Sequence, residues 1–109
     1  VTTPIVGKQR EHVYHLYVIR TGDRVALQQR IDKAGIGAGL HYPVPIHLQP
    51  SFEELGYRLG DFPVTEQYMN EILSLPMYPE LRPEMIDYVT STIRQEVEKD
   101  QDSARVLMV

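Results

Sequence analysis

A run of β-branched and aromatic residues lies immediately before a helical pattern near the start of the chain. Residues 12–19 are rich in valine, tyrosine and isoleucine, which suit a packed, pleated surface, and this predicts a strand. Thr21-Gly22-Asp23 marks the turn that follows, with Thr21 or Asp23 as the helix cap. A strand followed at once by a helix is the beginning of a mixed α/β arrangement.

Helices and strands continue to alternate along the chain. Residues 24–34 are predicted to be a helix that ends at Gly35, because Leu27, Ile31 and Ala34 share one apolar face. We then expect a short strand at residues 36–42, and an irregular loop at residues 47–60 with a helical turn near residues 51–55.

The second half predicts two more helices around a brief extended segment. One helix opens at Asp61-Phe62-Pro63, and its apolar stripe is expected to run through Ile72 and Leu73. An extended piece at residues 75–78 comes before a last helix, which runs from Pro83 to about Lys99.

These elements predict one α/β domain (an α+β sandwich) in which a small three-stranded sheet is covered by helices. A chain of 109 residues supports one modest core and is too short for two domains. We expect the domain to span residues 1–99 and residues 100–109 to form a flexible tail. The chain does not begin with methionine, and we expect a fragment or a processed product.

Composition excludes several classes of function. The formal net charge is -4, which argues against a nucleic-acid-binding module, and no segment has the apolar length needed to cross a bilayer. Cysteine is absent, which removes disulfides and thiolate chemistry. A cytoplasmic location is the default expectation.

Neither the four histidines nor the glycines predict a metal or phosphate site. His12 and His15 are three apart on a predicted strand, so their side chains point to opposite faces. His41 and His47 flank a proline-rich turn, but the further ligands that zinc needs are not spaced around them. The glycines at 35, 37 and 39 follow a helix and open a strand, the reverse of a phosphate-binding loop.

The turn at His41-Tyr42-Pro43 is the candidate ligand-facing feature. Imidazole and phenol groups at a strand end can donate to a phosphate oxygen or a sugar hydroxyl. The alternative is that both residues are amphipathic side chains satisfied within the fold. Glu66, in the first turn of a helix, is expected only to complement the helix dipole. No carboxylate pair or nucleophilic serine is spaced for catalysis, so we predict no catalytic residue here.

Four motifs, in this order, resemble the C-terminal part of the DegT/DnrJ/EryC1/StrS aminotransferases. They are His12-Val-Tyr-His-Leu-Tyr-Val, Gly35-Ile-Gly-Ala-Gly-Leu-His-Tyr-Pro-Val-Pro-Ile-His47-Leu-Gln-Pro, Gly60-Asp-Phe-Pro-Val-Thr-Glu66 and Leu73-Ser-Leu-Pro-Met-Tyr-Pro79. The resemblance covers residues 12–93.

This resemblance implies the small C-terminal domain of a fold-type I enzyme. Such enzymes use pyridoxal phosphate to move an amino group, usually from glutamate, to a keto group on a nucleotide-linked sugar. The cofactor is held by a lysine in a large N-terminal domain, the small domain helps to close the substrate cleft, and the active enzymes are homodimers. By position, His41, Tyr42 and, as a weaker candidate, His47 match residues that line the nucleotide-sugar site.

The chain also departs from the family pattern. Its three lysines, Lys8, Lys33 and Lys99, do not stand in the serine-then-lysine context that binds the cofactor. The resemblance therefore implies a chain that is inactive alone and that needs the large domain of the same polypeptide. Two alternatives stay open at this stage: a stand-alone binding or interaction module, and a family variant that carries out dehydration or acts on a non-sugar ring.

Overall fold

The structure, a computed structural model, describes residues 1–107, with side chains to residue 99. Its regular elements are two strands and three α-helices, with two short 3-10 helices, Ile46–Leu48 and Pro50–Leu55, between the first and second α-helix. The strands are β1 (Tyr17–Arg20) and β2 (Ile72–Leu75), and the helices are α1 (Arg24–Lys33), α2 (Pro63–Glu71) and α3 (Pro83–Leu107). The predicted mixed fold with a small sheet is confirmed.

The sheet is antiparallel and smaller than the three strands predicted. β1 pairs with β2 in a register that sets Tyr17 opposite Leu75 and Ile19 opposite Leu73. Residues 36–42, predicted as the second of the three strands, contribute one isolated bridge, Gly39 to Ser74, at the outer edge of β2. The run from Pro43 prevents a longer ladder, because proline lacks the N–H that pairing needs.

Local sequence explains the bounds of α1. The Asp23 side chain accepts a hydrogen bond from the backbone N–H of Ala26 at 3.0 Å, which makes it the cap. At the other end, Gly35 has a φ of 78° and donates to Asp32, while Ile36 donates to Ile31. These two bonds are a Schellman motif, which ends a helix at a left-handed glycine, as predicted.

The predicted bounds of both strands were wrong. β1 begins at Tyr17 and not at His12, and Tyr14, inside the expected strand, has a positive φ of 48°. The helix expected to include Ile72 and Leu73 ends at Glu71, and those two residues begin β2. Backbone pairing with β1 outweighs the helical spacing of these apolar residues, since a short apolar run fits either periodicity.

The last helix is longer than predicted. α3 continues past Lys99 to Leu107, so its expected end was wrong. Whether residues 100–109 are flexible stays a prediction, and residues 108–109 lie outside the described part. Within residues 1–107, no helix is long and apolar enough to cross a membrane.

The two faces of the sheet have different partners. Side chains alternate along a strand, so Ile19 and Leu73 point to one face, where they form the buried core with α1 and α3. The residues of this core are Ile19, Leu27, Ile31, Ile36, Leu73 and Ile93. The opposite face carries Val18, Arg20 and Ser74, and it is covered by α2 and by the turn that begins at His41. The candidate site lies on this second face.

Candidate functional site

His41 rests on the sheet through a buried serine. Its Nδ1 atom lies 2.9 Å from the Oγ atom of Ser74, whose residue is 5% exposed in β2. A Cβ atom at position 39 would stand 3.1 Å from Cε1 of this imidazole, so Gly39 allows the close approach. The ring is therefore oriented by β2, while His41 as a whole stays exposed to solvent.

Tyr42 presents its side chain to solvent beside that imidazole. The residue is 72% exposed, and its ring stands edge-on to His41 with 5.5 Å between the ring centroids. The peptide bond between the two residues is cis. An oriented imidazole and a free phenol thus stand side by side at the surface, where both can reach a polar ligand.

A cavity of about 350 Å³ opens next to these two residues. One wall is the turn at residues 41–46, and the other wall is α2, through Thr65, Tyr68 and Met69. Val18 and Ile72 of the sheet form part of its lining. A mostly apolar concave site with a few polar tips is the usual form of a small-molecule site.

Arg20 on β1 holds the side chain of Tyr68, which lines the cavity. Arg20 donates to Glu71 at 2.7 Å and to the hydroxyl of Tyr68 at 2.9 Å, and its guanidinium carbon lies 3.9 Å from the centre of the Tyr68 ring. Hydrogen bonds from Gln67 and then from Arg20 lower the pKa of Glu71, so the pair stays charged at neutral pH. The Tyr68 side chain that lines the cavity is thereby held by Arg20 at its hydroxyl and at one face of its ring.

His47 does not share the position of His41 and Tyr42. Its side chain is 7% exposed, and its Nε2 atom lies 2.9 Å from Oε1 of Glu66. A carboxylate only accepts hydrogen bonds, so Nε2 carries the proton and donates it. Its ring packs on Phe62 with 4.7 Å between the centroids. The predicted substrate contact of His47 stays a prediction, and the structure gives this residue a buried partner.

Glu66 is the residue that the sequence pattern missed. It is 9% exposed, and besides His47 it accepts the backbone N–H groups of Gly60, at 2.8 Å, and Phe62, at 3.1 Å. Burial by itself raises the pKa of Glu66, but these hydrogen bonds outweigh burial and leave the pKa below its ordinary value. The expectation that Glu66 only complements the helix dipole was therefore incomplete, because the carboxylate is buried and accepts hydrogen bonds from three residues.

The structure forms no metal site among its described residues. It holds no group of three or more histidine, aspartate or glutamate side chains there that could bind an ion. Nδ1 of His12 accepts the N–H of Tyr14, and the two rings stack with 4.2 Å between their centroids. His15 is exposed on the same segment.

Three comparisons place this domain among known proteins. The model of the DegT/DnrJ/EryC1/StrS aminotransferase family matches residues 1–94. A pleiotropic regulatory protein of Geobacillus stearothermophilus is 44% identical over 95 residues, which are 87% of this chain and 26% of that protein. The dTDP-3-amino-3,4,6-trideoxy-alpha-D-glucose transaminase of Micromonospora megalomicea is 39% identical over 93 residues, 84% of this chain and 25% of that enzyme.

A solved structure is similar in fold as well as in sequence. The crystal structure of S. venezuelae DesV in complex with a ketimine intermediate superimposes with a TM-score of 0.83 at 32% identity, over 86% of this chain and 25% of that chain. The fold defines a small mixed α/β domain, and the turn that begins at His41 lines its candidate cavity. The chain belongs to the DegT/DnrJ/EryC1/StrS family of sugar aminotransferases, and it spans about a quarter of the length of the relatives that it matches.

The family depends on pyridoxal phosphate in general, and the residues described here do not fit that cofactor. The lysines at 8, 33 and 99 are all exposed, and Lys99 pairs with Glu96 on α3. A lysine that forms a Schiff base stands in an enclosed site that holds the cofactor, and these three side chains stand in solvent.

Proposed function

We propose that this chain is the substrate-closing part of an aminotransferase that uses pyridoxal phosphate and acts on a keto nucleotide-sugar. The observation that carries the proposal is the cavity beside His41 and Tyr42, in a chain of this family whose lysines are all exposed. In the reaction, glutamate gives its amino group to the keto carbon of the sugar and leaves as 2-oxoglutarate.

The polar and the apolar residues of the site contact different parts of the nucleotide-sugar. His41 and Tyr42 bind phosphate or sugar oxygens, since both side chains carry hydrogen-bonding atoms at the surface. The apolar lining, with the ring of Tyr68, contacts the flat or hydrophobic parts of the nucleotide-sugar. We assign no catalytic residue to this chain.

The remaining parts of the enzyme lie outside this chain in the proposal. A large domain of the same polypeptide supplies the cofactor lysine and the phosphate site, so that the 109 residues alone are inactive. The full polypeptide is a cytoplasmic homodimer, as in the family that this chain resembles. Relatives four times as long as the matched segment support the presence of such a domain.

The test uses the full polypeptide that contains this chain, loaded with pyridoxal phosphate. We expect His41→Ala and Tyr42→Phe to raise the KM for a keto nucleotide-sugar more than the KM for glutamate. His15→Ala, an exposed histidine away from the cavity, is the matched control. Equal kinetics for His41→Ala and His15→Ala would remove His41 from the substrate site.

A second candidate is a regulatory binding role without turnover. The observation in its favour is the name of one relative, a pleiotropic regulatory protein of Geobacillus stearothermophilus that is 44% identical over 95 residues. On this alternative the full polypeptide would bind a nucleotide-sugar at the same cavity and release no 2-oxoglutarate. An assay of 2-oxoglutarate formation beside a binding titration therefore separates the two candidates.

A further inference from the structure

Four residues form one hydrogen-bonded group around the buried carboxylate of Glu66. We call Glu66, His47, Gly60 and Phe62 the Glu66 clasp. Glu66 accepts hydrogen bonds from the other three, so that α2, the 3-10 helix Ile46–Leu48 and the segment before α2 all meet at its two oxygens.

The hydrogen bonds of this clasp go beyond what a helix end requires. A carboxylate that only complements the helix dipole stays in water, because burying a charge is costly unless it is fully paired. Glu66 is buried and its oxygens accept both backbone and side-chain donors. Its bond from the N–H of Phe62 stays at the start of α2, whereas the bond from His47 comes from a different segment.

The clasp and the cavity share the same two walls. Ile46, next to His47, belongs to the turn that lines one side of the cavity, and Thr65, next to Glu66, lines the other side on α2. The bond of 2.9 Å between His47 and Glu66 is therefore a direct tie between the walls, one residue away from each lining position.

We propose that Glu66 is a positioning residue that, through His47, sets the width of the cavity that receives the nucleotide part of the substrate. The proposal rests on the proposed function for the identity of the ligand. It also gives His47 a role that does not require contact with substrate. Rigid placement of recognition groups by a second layer of hydrogen bonds is a general requirement of precise sites.

The test measures binding of dTDP to the full polypeptide, since the transaminase of Micromonospora megalomicea is named for a dTDP-sugar. We expect His47→Ala and Glu66→Gln each to weaken binding about tenfold, the effect of losing one charge-assisted hydrogen bond. His47→Gln keeps a donor of similar reach and is expected to restore affinity to within about threefold of wild type. Glu54→Gln, an exposed carboxylate on the neighbouring 3-10 helix, is the matched control.

Hydrogen exchange at the amides of Gly60 and Phe62 reports the clasp directly. We expect faster exchange at both amides in Glu66→Gln, while the amides of β1 and β2 keep wild-type protection, which shows that the domain is still folded. Kinetics of amino transfer, measured in parallel, should show a higher KM for the nucleotide-sugar with kcat less affected.

The outcomes separate the two claims. A wild-type protein that binds dTDP but transfers no amino group would overturn the proposed function, while weaker binding by His47→Ala would still support the clasp. Binding by Glu66→Gln and His47→Ala equal to that of Glu54→Gln would overturn the clasp, and so would a wild-type protein that does not bind dTDP.

Discussion

Removing the hydroxyl of Ser74 should disturb the site without disturbing the core. Ser74→Ala deletes the Oγ atom that lies 2.9 Å from Nδ1 of His41, while the methyl group that remains fits the same space in β2. The net contribution of one neutral hydrogen bond is about 0.5–1.5 kcal/mol, which corresponds to a factor of about 2 to 12 in binding. His41 is exposed, so water can replace the lost partner, and we expect the lower part of that range.

The assay is the KM of the full polypeptide for a keto nucleotide-sugar, with kcat measured separately. Ser91→Ala removes a hydroxyl on the exposed side of α3 and is the control. Because Ser74 acts through His41, the double variant His41→Ala with Ser74→Ala should be no worse than His41→Ala alone. Additive losses in the double variant, or identical kinetics for Ser74→Ala and Ser91→Ala, would refute the reasoning.

Three other predictions concern stability. Ile31→Ala should lower the free energy of unfolding by about 2–5 kcal/mol in urea titrations, because Ile31 is fully buried between the sheet and the helices. Gly35→Ala should destabilise by about 1–2 kcal/mol because the backbone there has a φ of 78°, whereas Gly37→Ala, which meets no atom within 4 Å, should be neutral or slightly stabilising. Because the pKa of Glu66 is lowered, the clasp contributes its full stabilisation above the ordinary carboxyl pKa of 4.5. That stabilisation is lost as pH falls through the folded pKa, and the rate of hydrogen exchange at the Phe62 amide will follow the loss.

Each of these predictions has a contradicting result. An Ile31→Ala variant with wild-type unfolding would mean that the core is formed by other residues. Equal changes in the free energy of unfolding for Gly35→Ala and Gly37→Ala would show that the left-handed backbone at Gly35 does not cause the destabilisation. For the pH dependence, Glu66→Gln should lack the acid-induced loosening, so a variant that still loosens below pH 4.5 would assign the titration to another group.

The parts of the fold that were predicted correctly depend on local chemistry. Asp23, one of the two predicted caps, and the stop at Gly35 are encoded within a few residues, so α1 was predicted to within one residue of its observed end. The same holds for the helical turn near residues 51–55, which lies within a 3-10 helix. The quoted motifs also led to the correct family.

The parts that were missed depend on contacts between distant segments. Ile72 and Leu73 suit a helix as well as a strand, and only pairing with β1 decides between them. For residues 12–16, composition favours a strand, but the backbone turns at Tyr14. Glu66 shows the same limit, because a glutamate in a first helical turn gives no sign of the histidine that reaches it from 19 positions earlier.

The central claim is that this domain helps to form the nucleotide-sugar site of a sugar aminotransferase. Its most direct test is 2-oxoglutarate formation by the full polypeptide with pyridoxal phosphate, glutamate and a dTDP-linked keto sugar, compared between wild type and His41→Ala. We predict turnover by the wild type and, for His41→Ala, a higher KM for the sugar nucleotide with the KM for glutamate less changed. No turnover by the wild type, or a His41→Ala variant that is indistinguishable from it, would contradict the claim.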